Sequence, residues 1–238
     1  MPVGSGGGGP VTPTHRPLPR GLAVLAAAIA LIEIALSAAD AGWFADSSLR
    51  GRVFVAGAFW PNLLHGDRPL FAAQPVTMFV SHAFLHGSLL HMVMNLTILL
   101  SLGRFTTDRY GSGTVLPVFL LTAIAGGACF GLLSTDRVPM VGASGAVFGF
   151  LGVWIAWDWR RHRAAGVSTG PVVRRVLVLA FLNVVLWFAL SGGLAWQAHL
   201  GGFIAGLACG AWFEARIDRD ERAARARRRR ERRETSGD

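Results

Sequence analysis

Six apolar stretches alternate with polar ones along the chain, at about 21–39, 76–102, 115–133, 141–157, 172–190 and 194–213. Each is close to the roughly 20 residues an α-helix needs to cross a hydrocarbon core about 30 Å thick. The pattern therefore predicts an all-α, polytopic membrane protein with a six-helix transmembrane bundle over residues 21–214. The first polar interval, 40–75, mixes Asp40, Asp46, Arg50, Arg52 and Asp67 with Trp43, Phe44, Phe59, Trp60 and Leu63. It is too polar to span and too aromatic for a free linker, which predicts a first loop lying at the membrane interface. Residues 1–20, with four consecutive glycines and Pro10, Pro13, Pro17 and Pro19, lack the apolar surface to pack and are expected to be a disordered N-terminal segment. Residues 215–238 form an arginine-rich tail.

The first apolar run has a competing reading as a cleaved secretory signal, because small residues precede Asp40 in a cleavage-like pattern. Glu33 within the run and the long polar lead favour a retained helix, with Glu33 turned into the bundle or reaching for the interface.

Composition strengthens the membrane reading. Charged residues make up 16% of the chain, against about 25% in ordinary soluble domains. Ten of the 23 basic residues follow residue 215, and all 23 are arginine. In the short loops, arginines gather before the first helix (16, 20), between the second and third (104, 109), between the fourth and fifth (160, 161, 163, 174, 175) and after the sixth. By the positive-inside rule both termini are cytoplasmic, and an even number of helices is consistent with that. The Arg227–Arg230 cluster is expected to bind anionic lipid headgroups. A nucleic-acid module built on this tail would leave six apolar segments unexplained, so no nucleic-acid partner is expected. Cys129 and Cys209 lie in apolar runs without metal-ligand spacing and read as small packing residues. Neither a metal nor a cofactor is expected.

Polar residues inside spanning segments are costly, and they mark function or interhelical hydrogen bonds. His91 and Asn95 share one face of the second helix, Ser144 opens the fourth, and His199 opens the sixth. Asn183, in the fifth, reads as structural. At about 1.5 Å per residue, His91, Ser144 and His199 lie about 20–22 Å above the cytoplasmic ends of their helices, at one level. Gly142, Gly145 and Gly149 on the fourth helix, and Gly202 and Gly206 on the sixth, offer small faces for backbone-close packing that would bring Ser144 towards His199. Phe148, one turn after Ser144, can pack on the His199 ring. A serine hydroxyl needs a base to become a nucleophile, and an oxyanion needs preorganised donors. His199 is the candidate base; the Ser144 backbone N–H, His91 and Asn95 are the candidate donors. No acidic residue is placed to orient His199, so a Ser–His dyad is expected.

Three segments together resemble the rhomboid intramembrane serine proteases: His86-Gly-Ser-Leu-Leu-His-Met-Val-Met-Asn95, Gly142-Ala-Ser-Gly145 and Ala198-His-Leu-Gly-Gly-Phe-Ile-Ala-Gly206. The resemblance covers about residues 75–210, in the family's order. It implies that Ser144 is the nucleophile, His199 the base, His91 and Asn95 oxyanion supports, and Phe148 the aromatic stacked on the base. It also implies a site open to water from the extracytoplasmic side, a fifth helix that forms part of a lateral gate, and substrates that are membrane-spanning proteins. A bacterial inner membrane is the expected location. Two family features are absent: the Trp-Arg pair of the first loop, although Trp60 lies in that loop, and a glutamate after the second helix, where Thr106-Thr107-Asp108 stands. His82 and His86 are expected to give hydrogen-bond support. The competing functions are an inactive relative that binds membrane helices, which intact Ser144 and His199 argue against, and a proton-coupled transporter. A transporter has no need of a serine between glycines at a helix start.

Overall fold

The computed structural model describes residues 17–43, 48–134 and 138–236. The first 16 residues of the expected N-terminal segment lie outside them. Among the described residues, eight α-helices run in the order α1 (Arg20–Asp40), α2 (Leu49–Gly57), α3 (Gln74–Ser81), α4 (Leu89–Tyr110), α5 (Val115–Leu133), α6 (Ser144–Ala164), α7 (Gly170–Ala189) and α8 (Trp196–Ser236), with short 3-10 turns at Pro61–His65, His82–Phe84 and Ser112–Thr114. The described residues contain no strand, only an isolated bridge between Phe59 and Met140.

Of these helices, α1, α4, α5 (with the preceding turn) and α7 are long and apolar enough to cross a membrane. The other two long helices, α6 and α8, sit in the middle of the bundle. Glycines, the polar residues at their starts and charged residues towards their C-terminal ends dilute their hydropathy. Large apolar side chains such as Val24, Leu31, Leu121, Phe181 and Phe188 are exposed around the outside. A water-soluble chain could not carry that belt; this is an integral membrane protein.

The second apolar segment, expected as one helix over 76–102, is divided. The backbone leaves α3 through a 3-10 turn at His82–Phe84, and α4 begins only at Leu89, where the Ser88 side chain accepts the His91 backbone N–H at 3.2 Å. Composition hid this break because Val76–Leu85 is apolar, yet the segment joins the first loop rather than the span. At the other end, α8 continues well past residue 213, to Ser236. Its arginines and glutamates are good helix formers, and pairs such as Glu221–Arg225 are spaced i,i+4.

A core of Leu22, Ile29, Leu99, Phe119, Phe150 and Val153 joins α1, α4, α5 and α6. A second cluster, Phe59, Met78, Phe130 and Met140, pins the first loop to the segment preceding α6. The helices α5, α6 and α8 pack closely, whereas α7 is nearly bare: Val172 is its one buried residue. Cys129 and Cys209 are free thiols, half-buried.

Glu33 is fully buried in α1. Its carboxylate accepts from Arg50 of α2 at 3.0 and 3.1 Å and from the Ser37 hydroxyl at 2.9 Å. Arg50 also donates to Asp40 and, at 2.7 Å, to the His86 carbonyl. Burial opposes the charge on Arg50, but the bonds to Glu33 and Asp40 outweigh it and hold the guanidinium's pKa above its ordinary value. Near the other ends of the helices, buried Glu214 of α8 accepts from Arg109 and, at 2.7 Å, from the Tyr110 hydroxyl. Thr106 and Thr107, in the stretch where the family's glutamate is absent, donate to carbonyls of their own helix, at Leu102 and Arg104. A carboxylate from α8 thus tethers the end of α4.

Candidate active site

The turn before α6 is built around Gly142. Its φ of +126° is a conformation that side-chain-bearing residues rarely adopt, and a Cβ there would stand 2.8 Å from the His91 ring. Three contacts hold the turn. Phe59 and Met140 exchange backbone hydrogen bonds of 2.9 Å, the Gly142 N–H donates to the His82 carbonyl at 2.9 Å, and the Ala143 N–H donates to His86 Nε2 at 3.3 Å. His82 itself packs edge-on against Phe59, with Nδ1 2.8 Å from the Met78 carbonyl. Both histidines therefore support the turn.

Ser144 follows as the first residue of α6. No side chain caps this helix, so its leading N–H groups, which have no intrahelical acceptor, face the serine's surroundings. The Ser144 hydroxyl lies 2.8 Å from His199 Nε2. The His199 ring is stacked on Phe148, centroids 4.2 Å apart and planes 7° from parallel. On the other flank His91 lies against Gly142. Asn95, also beside Gly142, is buried, and its Nδ2 has no hydrogen-bond partner among the described residues. A buried, unpaired donor is expensive, and it is available to an incoming oxygen.

The approach of α8 to α6 depends on missing side chains. A Cβ on Gly202 would be 1.9 Å from the Gly145 carbonyl oxygen, and one on Gly206 would be 1.9 Å from that of Gly149. Gly149 in turn is closed off by Thr122 of α5. Ser144, His199, His91, Asn95, Phe148 and the five glycines of the expected packing faces thus lie in or beside this one region.

Asn183 has a place that sequence reasoning missed. Its Oδ1 lies 2.7 Å from His199 Nδ1. A lone asparagine in an apolar helix gives no hint of its partner, and the only available signal was its position on a helix adjoining the one that carries the histidine. Between α6, α7 and α8 lies a cavity of about 750 Å³, lined by Phe148, Leu179, Asn183, Trp187, His199 and Phe203 among others.

A serine hydroxyl on an imidazole nitrogen, beside an uncapped helix start and an unpaired amide, is an arrangement suited to acyl transfer. Residues 73–216 match the model of the rhomboid domain. The chain belongs to the rhomboid family. It is 30% identical over 155 residues to Rhomboid-like protease 3 of Toxoplasma gondii, covering 63% of this chain and 56% of that protein. It is 33% identical over 135 residues to Rhomboid protease GlpG of Yersinia enterocolitica, covering 56% and 46%. It is 28% identical over 138 residues to the chloroplastic Rhomboid-like protein 11 of Arabidopsis thaliana, covering 54% and 49%. The chain spans about half the length of these curated relatives.

Proposed function

We propose that this rhomboid is an intramembrane serine endopeptidase that cleaves membrane-spanning proteins. The observation that carries the proposal is the 2.8 Å contact between the Ser144 hydroxyl and His199 Nε2. That distance is within the reach a general base requires. His199 takes the hydroxyl proton as Ser144 Oγ attacks the scissile carbonyl carbon. The carbonyl oxygen, now an anion, is met by the Ser144 N–H, the unpaired Asn95 amide and His91. His199 then gives the proton to the departing amine, leaving an acyl-serine. Water, deprotonated by His199, attacks the ester and restores the serine.

Substrate helices enter beside α7, whose sparse packing and adjoining cavity support its role as a lateral gate. Both termini are cytoplasmic, in a bacterial inner membrane, and the arginine tail meets anionic headgroups where α8 leaves the bilayer.

The test uses purified full-length protein in detergent with a model transmembrane substrate and a fluorophosphonate probe. Cleavage is expected in the wild type and is expected to vanish in Ser144→Ala and in His199→Ala. The probe should label only protein that retains Ser144. Undiminished cleavage by Ser144→Ala would sink the mechanism.

A further inference from the structure

The neighbours of Asn183 fix which way its amide points. Asn183 Nδ2 lies 3.3 Å from the Leu179 carbonyl, one turn back along α7, and a carbonyl can only accept. Nδ2 is therefore the atom facing Leu179, and Oδ1 faces His199. An amide oxygen also only accepts, so the proton of neutral His199 sits on Nδ1. The lone pair is then on Nε2, aimed at the Ser144 hydroxyl. The other tautomer would put two acceptors face to face at 2.7 Å and a donor towards the hydroxyl proton.

The same helix is also tied near its start, where Arg175 of α7 pairs with buried Asp158 of α6 and lies over Trp154. Asn183 is eight residues further on, about 12 Å along the axis. An α7 that leans outward while held at Arg175 carries the Asn183 oxygen away from His199.

We propose that Asn183 is a positioning residue that selects the reactive tautomer of His199, and that the base is correctly set only while α7 is seated against α8. This rests on the protease reading above and goes beyond it, because the fifth helix then contributes to the chemistry as well as to entry. During catalysis the Asn183 oxygen also accepts from the imidazolium, as the third member of a triad does.

The experiment measures Ser144 labelling by a small fluorophosphonate, together with kcat and KM on a transmembrane substrate, for Asn183→Leu and Asn183→Asp. Leucine has similar bulk and no acceptor; aspartate keeps the acceptor. Thermal melting in detergent checks that both variants fold. Asn183→Leu should label about tenfold more slowly and lose about tenfold in kcat with KM little changed, and Asn183→Asp should recover most of that loss. Arg175→Gln, which loosens α7 without touching His199, should slow labelling several-fold in the wild-type background and have no further effect in Asn183→Leu.

Wild-type labelling by Asn183→Leu, or an Asp variant as slow as the Leu variant, overturns the assignment of Asn183. No slowing by Arg175→Gln, or equal slowing in both backgrounds, overturns the dependence on α7. A wild type that neither labels nor cleaves overturns the protease reading and this inference together. Ser144-dependent labelling that is indifferent to residue 183 overturns only this one.

Discussion

At Gly142 the backbone stands at φ +126° with the His91 ring where a Cβ would go. Alanine there meets both a backbone cost of about 1–3 kcal/mol and a clash that pushes His91 away. Gly142→Ala is expected to lower kcat by at least an order of magnitude, as for loss of an oxyanion donor. It should leave Ser144 close to His199, so fluorophosphonate labelling is expected to fall less than cleavage does; parallel rates on the two substrates check this. The pairing of Ser144 with His199 could be read from the chain because helix rise put both at one depth and glycines lined the path between them. The partner of Asn183 could not, since it depends on how α7 leans on α8, and nothing in an apolar helix encodes that angle. The His82 and His86 contacts were readable only as support, because each serves a turn some 57–60 residues away in sequence.

Among the elements, α6 and α8 are held backbone to backbone, and that closeness sets the 2.8 Å between the Ser144 hydroxyl and His199 Nε2. Gly202→Ala puts a methyl 1.9 Å from the Gly145 carbonyl oxygen, so the helices must part by roughly 1 Å or more to restore ordinary contact. A displacement of that size can reduce rate about 100-fold. The expectation is a folded protein with cleavage down by about two orders of magnitude; thermal melting and initial rates on the same preparation check it. The small-residue faces were visible in the sequence as Gly145 and Gly149 on one helix and Gly202 and Gly206 on the other. The break between α3 and α4 was not, because periodicity and hydropathy both continue through Val76–Leu85 while the backbone turns at His82–Phe84.

Over the whole molecule, three buried carboxylates among the described residues are each held by an arginine from another helix: Glu33 by Arg50, Asp158 by Arg175 and Glu214 by Arg109. Glu33 was legible as an anomaly but not as half of a pair, since Arg50 is brought to it by the fold of the first loop. Removing one partner leaves a buried charge, at a cost of about 3–5 kcal/mol. Arg50→Ala should therefore lower the melting temperature more than the double variant Arg50→Ala/Glu33→Gln does, and a melting series in detergent over the four members of the cycle measures the coupling.

The spacing of that pair also has a consequence for synthesis. Arg50 is made 17 residues after Glu33, beyond the end of α1. The Glu33 carboxyl therefore gains its counter-charge only when α2 folds back onto α1. Docking of α1 must wait for the loop, so the helix that is translated first is committed to its place late.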